Sequence, residues 1–145
     1  MSERINMYKA YPGLYQAMSG IEKAAKESGI DEKLYELIKI RASQINGCAY
    51  CLNMHTRDAR KIGETDQRMH LLNAWRETNL YTPQEQAALE FTEAVTLIAQ
   101  GPIPDEIYKN VAKHFDEKQI AGLMTAIIAI NGWNRIAITS QVELD

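Results

Sequence analysis

The chain has 145 residues, 46% hydrophobic and 24% charged, with a formal net charge of -3. That length buries one core without cross-links, so a single domain over residues 1–145 is expected, and the weakly acidic balance offers no basic surface to nucleic acid or anionic lipid. The start, Met1-Ser2-Glu3-Arg4-Ile5-Asn6, lacks the apolar run of a secretory signal, and the longest apolar stretch, Ile120 to Ile130, falls well short of the roughly 20 residues that cross a bilayer.

The expected partners therefore include neither nucleic acid nor membrane, and the expected location is the cytoplasm. In a reducing cytosol paired thiols are catalytic, redox-sensing or metal-binding rather than structural.

Strand signals are nearly absent and helix punctuation is frequent. Asp31 can cap a helix from Glu32 to Ile45, with Leu34, Leu37, Ile38, Ala42 and Ile45 at helical spacing. Asn46-Gly47 interrupts it, and a second helix is expected from about Cys48 to Ile62, ended by Gly63. Thr65 or Asp66 opens a short helix carrying Met69, Leu72 and Trp75. Thr82-Pro83-Gln84-Glu85 joins a capping threonine, a first-turn proline and a closing glutamate, and the apolar face from Ala87 through Phe91 to Ile98 runs on to Gly101-Pro102.

Asp105 begins another short helix, through Ile107 and Val111. Asp116, with Gln119 three residues on, opens the most apolar helix, expected to be central or in a subunit interface and to kink or end at Asn131-Gly132-Trp133-Asn134. The expected class is all-α, with six or seven helices. Ile127, Ile128, Ile130 and Trp133 read as apolar surface beyond what a small helical domain hides, which points to a homo-oligomer formed through apolar helix faces.

Cys48-Ala49-Tyr50-Cys51 holds the only two cysteines, with His55 four residues later. A dithiol at this spacing oxidises and reduces without large backbone movement, and a bridge closing so short a loop removes little unfolded-state entropy, so chemistry is favoured over stapling. On a helix Cys51, His55, Ala59 and Ile62 share one stripe with Cys48 beside it, while Asn53, Arg57, Arg60 and Lys61 face the other side. The thiols lie in the first turn, where free amide N–H groups and the helix dipole favour a thiolate, and position alone makes Cys48 the more exposed of the two. His55 is one turn from Cys51, placed to exchange a proton with it. The competing readings are two cysteines serving as small core residues and a zinc site; Cys48, Cys51 and His55 give only three ligands, leaving His70, His114 or a carboxylate as the fourth. Glu36, opposite the stripe of Leu34, Ile38 and Ile45, reads as solvent-exposed unless the Cys48–Ile62 helix or another subunit covers it.

Glu36, eleven intervening residues, then Cys48-x-x-Cys51-x-x-x-His55 resembles the signature of AhpD-like alkylhydroperoxidases, in the carboxymuconolactone decarboxylase superfamily. Ile40 to Gly47 and Asn131 to Arg135 are similar to that family too. The resemblance implies a compact all-α fold forming dimers, trimers or hexamers, and peroxidase or disulfide-reductase chemistry on a small hydroperoxide. It implies Cys51 as the peroxidatic thiolate, Cys48 as the resolving thiol that closes a redox-active Cys48–Cys51 disulfide, Glu36 and His55 as a proton relay, an external dithiol or protein reductant, and no cofactor. AhpD enzymes carry histidine just before the second cysteine. Here Tyr50 stands there, a phenol that can donate a hydrogen bond but is no base at neutral pH. A lyase on the same fold is the alternative enzyme, and a redox sensor that oxidises without turnover is the alternative outside catalysis.

Overall fold

A computed structural model describes residues 4–145; Met1-Ser2-Glu3, part of the start read for a secretory signal, lie outside the described residues. The described residues form α-helices and short 3-10 segments with no strand: α1 (Met7–Ala10), α2 (Pro12–Glu27), α3 (Glu32–Asn46), α4 (Ala49–Lys61), α5 (Asp66–His70), a 3-10 segment (Leu72–Glu77), α6 (Pro83–Thr96), a second 3-10 segment (Ile98–Gln100), α7 (Asp105–His114) and α8 (Glu117–Ser140). The all-α class is as expected. None of these helices is long and apolar enough to cross a membrane.

Local chemistry sets the helix starts. Asp31 Oδ2 accepts from the Leu34 amide at 3.1 Å to open α3, and reciprocal capping boxes open α6 (Thr82 with Glu85) and α8 (Asp116 with Gln119). Each such cap stabilises its helix by about 1 kcal/mol. The expected helix over Met69, Leu72 and Trp75 is split: α5 stops at His70, and the chain continues as a 3-10 segment with Ala74 off helical geometry. This bend lets Met69, Leu72 and Trp75 join one apolar cluster with Leu37, Ile40 and Leu89. Helix α6 ends at Thr96 rather than at Gly101, so Ile98 is 61% exposed instead of continuing the core face.

Helix α2 had no place in the sequence reading, and it packs along α8. Helix α3 is the central element, flanked by α4, α6 and α8; from Leu34 to Asn46 none of its residues is exposed. Helix α8 shares the interior, with Leu123, Ile127 and Ile130 fully buried. Ile127 and Ile130 are thus core residues rather than surplus surface; Ile128, 49% exposed, is the part of that set that faces outward.

Helix α8 also passes through Asn131-Gly132-Trp133-Asn134 without ending, because the polar side chains there are tied inward. Asn131 Nδ2 donates to the Ile127 carbonyl at 2.9 Å and to Thr96 Oγ1 at 3.2 Å, and Asn134 Nδ2 donates to Ser43 Oγ at 3.0 Å. The glycines of α8 serve its approach to α2. A Cβ at Gly132 would meet Met18 Cε at 2.6 Å, and one at Gly122 would meet Ser28 Cβ at 2.6 Å.

Methionine's flexible end can move, but Ser28 Cβ is fixed to the backbone. Gly122→Ala should therefore lower stability by about 1–2 kcal/mol, the overpacking cost exceeding the gain in helix propensity. Gly20, in the exposed middle of α2 with open space around it, is the control: Gly20→Ala should raise stability by about 0.5–1 kcal/mol. Urea midpoints that shift in the same direction for both would contradict the α2–α8 packing.

Candidate active site

The site is built at the junction of α3 and α4. Gly47 ends α3 in the left-handed region (φ 71°), a conformation cheap only for glycine. The Cys48 amide then donates to the Ser43 carbonyl at 3.0 Å. Cys48, where the helix was expected to begin, is instead the N-cap of α4, which starts one residue later at Ala49, and its Sγ accepts from the Cys51 amide at 3.3 Å. Asn46 fixes this corner from behind, its Nδ2 donating to Asn131 Oδ1 and Asn134 Oδ1, each at 2.9 Å. Cys48 and Cys51 are joined as a disulfide with their Cα atoms 5.3 Å apart.

Cys48 is not the more exposed cysteine that its position suggested. It is 1% exposed, beneath Cys51 and packed with Ala42, Ile130 and Ala137. Cys51, His55 and Tyr50 line a cavity of about 590 Å³, and Cys48 does not. Glu36 is not in solvent either. Its side chain is 12% exposed, and Oε2 lies 2.9 Å from His55 Nδ1. Periodicity misplaced it because that argument assumes one buried face, whereas α3 is covered on several sides; the helix over Glu36 is α4, the cover its functional reading required. Four of the five expected site residues thus converge on one wall, with Glu36 behind His55 and Cys48 behind Cys51, while Tyr50 stands partly exposed at the edge.

Donor atoms of Glu36, His55 and Asp58 lie within 4.8 Å of one another. This is the grouping that has metal-ligand chemistry among the described residues, and it includes neither cysteine nor the expected fourth ligands His70 and His114. The Asp58 carboxylate favours the charged form of the Lys39 ammonium.

Sequence reasoning missed Lys39 and Glu22. Lys39 is 1% exposed on α3, one turn from Glu36. Its Nζ pairs with Glu22 Oε1 from α2 and sits 4.2 Å from the centre of the Tyr35 ring. Tyr35 Oη donates to the same Glu22 oxygen, and Trp133 Nε1 donates to Glu22 Oε2 at 3.2 Å. Burial pushes the Lys39 ammonium down to about 7, with Asp58 acting the other way; the Glu22 carboxylate beside it also favours the charged form. Burial, then the Glu36 carboxylate, holds the Tyr35 phenol well above its usual value, so it stays a donor. The available signal was a lysine inside the otherwise apolar run Leu37-Ile38-Ile40.

Glu22, Lys39 and Trp133 line the same cavity as Cys51 and His55. Its outer walls come largely from the chain ends, where Arg4, Asn6, Gln141 and Glu143 stand beside apolar side chains, with Tyr8 edge-on to Tyr15 at 4.7 Å and Tyr15 on Trp133 at 5.5 Å. Arg4 donates to the Thr139 carbonyl at 2.9 Å, tying the N-terminal wall to α8.

Residues 12–94 match the carboxymuconolactone decarboxylase family. The uncharacterised protein YdfG of Bacillus subtilis (strain 168) is 50% identical over 138 residues, covering 95% of this chain and 94% of that protein. The uncharacterised protein YnjA of Escherichia coli (strain K12) is 27% identical over 106 residues, covering 72% of this chain and 57% of that protein. Among solved structures, a protein of unknown function from Agrobacterium tumefaciens, proposed there as the antioxidant defence protein AhpD, superposes with a TM-score of 0.94 at 40% identity over 99% of both chains. The debrominase Bmp8 shares the fold, with a TM-score of 0.83 at 20% identity over 94% of this chain and 74% of that one.

Proposed function

The chain belongs to the carboxymuconolactone decarboxylase family, and on that footing we propose that it is a thiol-dependent peroxidase reducing organic hydroperoxides through Cys48 and Cys51. The observation that carries the reading is one wall on which Cys51 and His55 open to a cavity of about 590 Å³, with the disulfide partner Cys48 and the carboxylate of Glu36 directly behind. A lyase or decarboxylase has no use for a dithiol in that position.

In this reading Glu36 holds Nδ1 of His55, which leaves Nε2 to take the thiol proton. The Cys51 thiolate attacks the terminal peroxide oxygen; the S–O bond forms as the O–O bond breaks, giving a Cys51 sulfenic acid and an alcohol. The Cys48 thiol then displaces water and closes the Cys48–Cys51 disulfide. An external dithiol or protein reductant supplies two electrons and two protons to reset it. Cys51 is the attacking residue because it reaches the cavity and Cys48 does not. Tyr50, on the same wall, is a hydrogen-bond donor to the bound peroxide. The dithiol is the sole redox group the chemistry draws on, and a reducing cytosol supplies the returning thiols.

The reading includes self-association. Met124, Ile128 and Ile138 of α8 are 45%, 49% and 44% exposed, an apolar set that a second copy would cover. A mass above the monomer is expected by sedimentation equilibrium at micromolar concentration, and a strictly monomeric mass would remove this part.

With an organic hydroperoxide and a dithiol reductant, steady-state turnover is expected and should vanish in both Cys48→Ser and Cys51→Ser. Cys48→Ser should additionally accumulate a sulfenic acid at Cys51 that a cyclic dione traps. A sensor would oxidise once and stop; that result, or trapping at Cys48 in Cys51→Ser alone, would refute the assignment.

Alkylation across pH should titrate a thiolate well below the ordinary value near 8.5. Glu36→Gln and His55→Ala should each move that titration back upward, and an unmoved curve would remove the relay.

A further inference from the structure

A lysine with 1% exposure needs a reason. Removing an ammonium from water costs several kcal/mol, and an apolar side chain of similar volume commonly packs as well or better than a buried ion pair. Packing alone therefore does not call for Lys39. What a lysine adds at this place is a positive charge and a transferable proton on the wall of the cavity that Cys51 and His55 also line.

Resting on the peroxidase reading, we propose that Lys39 is a further catalytic residue, the acid that protonates the alkoxide expelled when the Cys51 thiolate cleaves an organic hydroperoxide. Displacement at the terminal oxygen is in line, so the leaving oxygen departs on the side away from sulfur. His55 lies one helical turn from Cys51 on the same stripe of α4, the sulfur's side. Lys39 comes from a different helix, α3, and lines the same cavity. The step balances: Cys51 sulfur is oxidised by two electrons and gains the hydroxyl, the O–O bond breaks, and the alkoxide takes a proton from Lys39 Nζ to leave as alcohol. Neutral Lys39 then regains a proton from water.

The surroundings favour both states of this cycle. Glu22 from α2 and Asp58 from α4 face the ammonium, and the Tyr35 ring lies under it. Glu36 is one turn away on α3 beside His55. These carboxylates favour the charged form of Lys39 against its burial. Burial, which lowers its proton affinity to about 7, makes the neutral amine accessible afterwards. Glu22 itself accepts hydrogen bonds from Tyr35 and Trp133.

The test compares leaving groups in single turnovers, following thiol loss in pre-reduced protein. Cumene hydroperoxide expels a strongly basic alkoxide that needs an acid; peracetic acid expels a carboxylate that does not. Lys39→Met should slow cumene hydroperoxide on the order of 100-fold, the usual worth of general acid catalysis, and peracetic acid far less. The double variant Glu22→Gln/Lys39→Met avoids stranding a buried carboxylate and should show the same selectivity. Equal slowing of both oxidants, or none, would overturn the inference by reducing Lys39 to a structural role. The selective loss appearing in Tyr50→Phe instead of Lys39→Met would overturn it too. Wild-type protein that neither oxidant oxidises would sink the peroxidase reading itself, a different outcome from either.

Discussion

Helix α3 has no exposed residue between Leu34 and Asn46, yet it carries Glu36, Lys39, Arg41, Ser43 and Asn46 within that span. Polar groups removed from water must be partnered inside the protein or they cost several kcal/mol. Their partners come from four different neighbours. Glu36 meets His55 of α4, Lys39 meets Glu22 of α2, Arg41 meets Glu93 of α6 at 2.8 Å, and Ser43 and Asn46 meet Asn134 of α8. A one-residue slip of any neighbour would strand one of these groups. The polar residues of α3 thereby fix the registers that its apolar residues leave loose.

That constraint reaches the dithiol directly. The Asn46 contacts to Asn131 and Asn134 hold the last turn of α3 against α8, and Gly47 turns the chain so that Cys48 caps α4. The first sulfur is consequently packed against α8 and the second faces the cavity. The division of the two cysteines into an inner and an outer thiol follows from where α3 stops, with no loop movement involved. The same burial that sets the register of Glu36 aims its carboxylate at the back of His55. The Glu36–His55 pair and the dithiol are two ends of one helix-to-helix contact, which is why a signature spanning Glu36 to His55 is short in sequence and compact in space.

Helices with strong punctuation were legible from sequence: Asp31, the Thr82–Glu85 box and the Asp116–Gln119 box each mark an observed start. Helix α2 went unread because Tyr11 gives its start no side-chain cap, although Leu14, Met18, Ile21 and Ala25 hold helical spacing. Its omission hid Glu22, and with it the reason a lysine can lie inside α3. Glu36 was misjudged on its surroundings for a related reason: amphipathic periodicity describes a helix with one wet face, and α3 has none here. The Asn131–Asn134 stretch read as a break since asparagine and glycine usually end helices. In this chain the asparagines spend their side chains on α3 and Thr96, and the glycine admits Met18. What was out of reach was which polar residue meets which, since that depends on contacts distant in sequence.

In the proposed mechanism the charges around the cavity floor would tie electron transfer to proton transfer. Glu22, Glu36 and Asp58 are carboxylates, and Lys39 and His55 are the cationic or protonatable groups packed among them. Reducing the disulfide adds thiols, one of them able to become a further anion on the same wall. Two unit charges about 6 Å apart at an effective dielectric of about 20 interact by about 3 kcal/mol, or about two pK units. On the proposed mechanism a Cys51 thiolate would therefore favour the ammonium of Lys39, and attack on a peroxide would remove that anion. In that proposal the proton would become easier to release as the leaving oxygen comes to need one. A floor built only of apolar residues would give the dithiol the same geometry and none of this timing, so on the proposed mechanism the buried ion pair of α2 and α3 belongs to the chemistry as well as to the packing.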